Sequence, residues 1–151
     1  MSKSRMLGGI AIAATLAVAM TGVSVVAQDA IGQRKALMKG VGGSSKTGSQ
    51  MAKGEIPFDA AKAGEAMGTI ATNWAAFVKL FPKGSETGGE TTAAPAIWAN
   101  FGDFEGKGQK LASDATAAQK ASVNGADAFK AAFGEVTKNC GGCHKPYRIP
   151  K

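Results

Sequence analysis

Apolar residues recur at helical spacing in four stretches of the chain. From Asp59 to Phe81 they fall at Ala63, Met67, Ile70, Trp74, Phe77 and Phe81, alternating steps of four and three residues that draw one continuous stripe along a helix. Asp59, just ahead of the stripe, is its expected N-cap. A second stripe runs Ile97, Phe101, Phe104, Gly108, Leu111, Ala115 and Ala118, with Trp98 beside it. A third, from Gly125 to about Tyr147, places Ala126, Phe129, Phe133, Val136, Cys140, Cys143, His144 and Tyr147 on one face, so these reactive side chains are expected to point into the core. The stretch from Asp29 to Lys53 has Ile31, Leu37, Met38, Val41 and Met51 at workable helical positions, although Gly40, Gly42, Gly43 and Gly48 weaken it.

No stretch alternates with period two over the length of a strand, and Pro57, Pro82, Pro95, Pro146 and Pro150 stand between or at the ends of these stretches. Four helices of roughly 20 residues, each about 30 Å long, are therefore expected, and the fold class is all-α, an antiparallel four-helix bundle. The longest irregular connection is Pro82 to Pro95, which holds Gly84, Gly88 and Gly89 and leads from the second helix to the third. No internal repeat is visible.

The N-terminus reads differently. Lys3 and Arg5 precede an uncharged run from Met6 to Ala27, closed by Val25, Val26 and Ala27 before the polar Gln28 and Asp29. This is the pattern of a secretory signal peptide, with cleavage expected after Ala27. The chain then divides into residues 1–27, removed on export, and 28–151, one helical domain. A retained anchor is the alternative, because about 20 apolar residues suffice to cross a bilayer.

The chain has 151 residues, 44% hydrophobic and 19% charged, with a formal charge of +7. Loss of the leader removes Lys3 and Arg5 and no acid, leaving a mildly basic domain. Its lysines are scattered, without the basic run and interleaved aromatics of a nucleic-acid binder, so no nucleic-acid partner is expected, and no membrane contact once the leader is cut. Two cysteines are too few for a disulfide scaffold, and a single histidine is too few for the usual zinc sites. A metal here must arrive with a cofactor.

That cofactor is indicated near the C-terminus, where Cys140-Gly141-Gly142-Cys143-His144 forms C-x-x-C-H, the pattern of covalent haem attachment. Two thiols three residues apart can each add to one haem vinyl group, and on a helix His144 projects near Cys140, four residues on, where its imidazole can reach the iron. The alternative is a redox dithiol, but such a motif wants a helix N-terminus beside a sheet to lower its thiol pKa, whereas this one closes the last helix. Export agrees with haem chemistry completed outside the cytoplasm.

With these residues in view, the mature chain resembles a class II cytochrome c, the cytochrome c′ superfamily. The matching pieces are Arg34 to Lys39 in the first helix, Met51 to Asp59 after it, Ala96-Ile97-Trp98 with Phe104, and Cys140 to Arg148. The resemblance implies one covalent haem c in a four-helix bundle, in a periplasmic protein. Leu37-Met38-Lys39 is similar to the low-spin group of that superfamily, which implies Met38 as sixth ligand opposite His144. From the residues alone the alternatives are that Met38 is a core methionine, as Met51 and Met67 are expected to be, and that Leu37 caps an open iron. The ending with Tyr147 and Arg148 implies Arg148 near a haem propionate, with a plain surface arginine as the other reading. The resemblance also leaves open a homodimer through the first two helices.

If Met38 and His144 both bind iron, no position is left for substrate. The expected function is then one-electron transfer to redox partner proteins, not enzyme catalysis. The alternative is a five-coordinate cytochrome c′ that binds NO or CO.

Overall fold

A computed structural model of the chain describes residues 21–150, with side chains from Val25 onward. The expected signal segment, residues 1–27, lies mostly outside the described residues. Five helices follow in order: α1 Thr21–Ala52, α2 Ala60–Phe77, the short α3 Ala96–Ala99, α4 Phe101–Ala121 and α5 Ala126–Tyr147. A single 3-10 turn, Ser122–Asn124, joins α4 to α5.

Local chemistry sets the helix ends. Asp59 is extended, and its carboxylate accepts the Lys62 N–H at 2.9 Å, so it caps α2 as expected. α1 stops in a double closure: Glu55 N–H donates to the Gln50 carbonyl at 2.9 Å and Gly54 N–H to that of Met51 at 3.1 Å. Gly54 sits at φ +72°, the left-handed conformation this closure requires. α1 also starts earlier than expected, at Thr21, because nothing between Thr21 and Gln28 stops a helix.

The second stripe, from Ile97 onward, is broken where one helix was expected. Asn100, at φ −132° and ψ 47°, separates α3 from α4. Trp98 turns instead toward the chain after α2, where its indole N–H donates to the Phe81 carbonyl at 3.2 Å and its ring meets that of Phe81 edge-on. Phe101 consequently leaves the core and is 37% exposed, whereas Ile97 and Phe104 stay buried.

The helices form a closed ring in which α1 packs on α2, α2 on α4, α4 on α5 and α5 back on α1. Close approaches fix their directions. Gly40 meets Asn73 and Gly48 meets Met67, so α1 and α2 are antiparallel; Gly64 meets Ser122 and Gly108 meets Trp74, so α2 and α4 are too. Asn139 of α5 donates to Asp114 of α4 at 2.7 Å, while Tyr147 bonds Asp103, which makes the last pair antiparallel as well. The fold is the expected antiparallel four-helix bundle.

Two apolar clusters fill it. At the end that holds the α1–α2 and α4–α5 connections, Val41, Met51, Met67, Ile70, Ala115, Phe129, Phe133 and Val136 are sealed from solvent. At the other end Trp74, Phe81, Ile97, Phe104 and Tyr147 build an aromatic cluster. The indole of Trp74 lies so close to α4 that a Cβ at position 108 would stand 1.8 Å from it, which is why a glycine occupies that place.

Candidate functional site

The aromatic end collects the reactive residues. Phe104 is edge-on to Trp74, Phe81 and Tyr147, with centroids at 5.3, 4.9 and 5.4 Å. Cys143 packs against this cluster from α5. The tail of α5 is tied down beside it: Ala94 N–H donates to the Tyr147 carbonyl at 3.0 Å and Ile149 N–H to that of Thr92 at 2.8 Å, around a bridge between Ala93 and Arg148. The connection between α2 and α3 thus closes over the end of α5.

Cys140 and Cys143 are half-buried free thiols. Burial pushes both thiols above their ordinary pKa, and the negative end of the α5 dipole acts in the same direction. A dithiol oxidoreductase needs the opposite shift to make a thiolate nucleophile. Partial desolvation of the ring, then the charge of Arg148, lowers the pKa of His144 and favours the neutral imidazole that ligates metals.

One expectation is corrected here. The face of α5 carrying the motif does not point into the core: the cysteines are half-buried and His144, like Ala126 at the start of the helix, is exposed. At about 100° per residue His144 stands some 60° from the line through Phe129 and Tyr147, at the outer margin of the stripe. The reactive residues therefore rim the bundle end.

Arg148 is exposed as well, its backbone engaged in the bridge to Ala93. Met38 lies half-buried on α1, packed on the edge of the aliphatic cluster, while Met51 and Met67 are fully within it.

The residue that sequence reasoning passed over is Arg34. Its side chain is only 4% exposed, with the guanidinium 4.7 Å above the Phe81 ring and 5.5 Å from that of Trp98. Nη2 donates to the Ser85 carbonyl at 2.8 Å, but Nη1 is buried with no partner. Burial lowers its pKa, against a smaller opposing pull from Glu86, yet arginine stays protonated. A buried guanidinium with a free donor is costly unless an anion meets it. The only signal in the sequence is its place, four residues before Met38 and so on nearly the same face of α1.

This donor set fits haem. Paired thiols and an imidazole stand at one rim, aromatic side chains offer the wall, and Arg34 supplies an unspent donor for a carboxylate. No group of three His, Cys, Asp or Glu side chains among the described residues gathers as a metal site.

An all-helical ring ending in C-x-x-C-H defines a helix-bundle c-type cytochrome. Comparison with known proteins narrows the class. The family model described as Cytochrome C' matches residues 29–148. A cytochrome c-556 of Agrobacterium fabrum is 42% identical over 128 residues, covering 85% of this chain and 86% of that protein. A cytochrome c′ of Rhodopseudomonas palustris is 39% identical over 142 residues, covering 94% and 97%. The solved structure of cytochrome c′ from Rhodopseudomonas palustris superposes with a TM-score of 0.77 at 40% identity, over 82% of this chain and 98% of that one. The chain belongs to the cytochrome c′ family, itself a standard example of the up-down-up-down bundle. It is a c-type cytochrome with covalent haem c, an electron carrier by general function.

Proposed function

We propose that the protein is a low-spin, six-coordinate electron carrier. Cys140 and Cys143 would hold the haem by thioether bonds, and His144 and Met38 would be its iron ligands. The observation that carries this reading is the fate of the methionines. Met38, Met51 and Met67 are those of the mature chain; Met51 and Met67 are 4% and 0% exposed in the aliphatic core, while Met38 alone is left half-buried, at the edge of that core.

The haem supplies the one-electron couple. The chain's own residues set its environment. A soft, neutral thioether from Met38 favours the ferrous state, and the aromatic wall keeps water from the buried side. Arg34 offers its free Nη1 to a haem propionate, the role that the resemblance implies for Arg148. Held by both His144 and Met38, the haem iron would offer no open position to a substrate. Scattered surface lysines, such as Lys145 on the exposed rim, steer an acidic redox partner over about one Debye length, roughly 10 Å at moderate salt.

The N-terminal segment sends the protein to the periplasm, cleavage follows Ala27, and an association of two copies would use α1 and α2.

Visible spectra of the oxidised and reduced holoprotein test the assignment. A low-spin spectrum with the weak ferric sulfur-to-iron band, lost in Met38→Leu, is expected. A high-spin ferric spectrum with CO bound on reduction would overturn it in favour of a gas-binding protein.

A further inference from the structure

We infer that Asn73 is a positioning residue for Met38, acting from α2 on the backbone of α1; this rests on the ligation by Met38 argued above. The Asn73 amide Nδ2 donates to the Leu37 carbonyl at 3.1 Å, in a half-buried contact between the two helices. That carbonyl belongs to the peptide unit that begins Met38. Within α1 it already receives the N–H of the residue four places on, so Asn73 takes its second lone pair. The bond therefore adds nothing to helix closure. It fixes the height and rotation of one peptide plane of α1 against α2, and with them the place from which the Met38 thioether sets out.

The surroundings show why a clamp is useful at this point. Beyond Met38 the helix carries Gly40, Gly42, Gly43 and Gly48, which leave it weakly determined by its own sequence. Gly40 has a specific reason to be there. A Cβ at position 40 would stand 2.6 Å from Asn73 Nδ2, too close to coexist with the bond to Leu37, whereas Gly42 and Gly43 face open space. The chain gives up helix propensity at position 40, and what occupies the space is the amide of Asn73.

A loosened clamp should show as easier loss of Met38 from iron. The probe is cyanide added to the ferric holoprotein, because it enters only after the thioether leaves. In Asn73→Ala uptake should quicken about fivefold, the factor expected for one neutral hydrogen bond. Gly40→Ala should quicken it similarly, although alanine favours the helix, since its Cβ displaces Asn73. In the double variant the second change should add nothing to the first. Ser122→Ala serves as the control for general loss of stability: it removes a buried hydroxyl that bonds the Gln119 carbonyl at the opposite end of the bundle, and its uptake rate should equal that of the wild type.

If Asn73→Ala and Gly40→Ala take up cyanide no faster than Ser122→Ala, while the wild type shows the sulfur-to-iron band, the clamp is refuted and ligation by Met38 stands. Should Asn73→Ala not fold, the rate in Gly40→Ala decides alone. A wild type without the band overturns both readings at once.

Discussion

The two ends of the bundle are built on different terms. The aliphatic end is filled by side chains without polar atoms, and its one buried hydroxyl, Ser122, is bonded to the Gln119 carbonyl at 2.7 Å. The aromatic end breaks the usual rules of a core. It buries an arginine with an unpartnered nitrogen, leaves two thiols half-covered, turns its histidine to solvent and interrupts a helix at Asn100. Departures of this kind collect where a structure is shaped for something other than its own stability. One end holds the fold, and the other is shaped to the haem.

The comparison breaks most sharply if the aromatic end stands without its cofactor. Replacing Cys140 and Cys143 together by serine should give little soluble folded protein, because helix-interior glycines cost near 1 kcal/mol each and the haem contributes a large share of the apolar core. A cooperatively melting, haem-free double variant would sink this expectation. At the other end Phe129→Ala should cost about 3–5 kcal/mol as a cavity opens beside Phe58 and Phe133, with the haem spectrum unchanged. A spectral change as large as that of Met38→Leu would show that the two ends are not separable.

Arg34→Met sharpens the contrast with a smaller effect. Removing an incompletely paired buried charge in favour of an apolar side chain of similar length should leave unfolding stability nearly unchanged. The loss of a positive charge beside the haem should stabilise the ferric state and lower the reduction potential by about 60 mV, one tenfold step of a one-electron couple. An unchanged potential, measured by redox titration, would remove Arg34 from the site.

The legible parts of the molecule are those encoded by neighbouring residues. α2 can be read to within a residue at its start because Asp59 and the stripe from Ala63 to Trp74 are local signals, and Cys140, Cys143 and His144 announce themselves by spacing. The break at Asn100 is not legible, since the force that makes it is the pairing of Trp98 with Phe81, remote in sequence. Nor is Arg34. A charged residue on a helix is solvated by default, and its burial depends on two aromatic rings and a carbonyl supplied by the connection after α2. The exposure of His144 is not legible either, because periodicity says which residues share a stripe, not how far neighbouring helices reach over its margin.

The smallest effect concerns the joint between the ends of α4 and α5. The Tyr147 hydroxyl donates to the Asp103 carboxylate at 2.5 Å, and this bond, with burial second, raises the phenol pKa from its ordinary 10.0 to about 12. A group that holds its proton more tightly when folded contributes fully below its unfolded pKa and loses that contribution as pH climbs through the folded one. The wild type should therefore melt a few degrees above Tyr147→Phe up to about pH 10, and the two curves should converge by about pH 12. Melting temperatures of both proteins across that range are the check. A difference that persists unchanged at pH 12 would mean that the ring's packing on Phe104, rather than the proton shared with Asp103, anchors the end of α5 beside the haem.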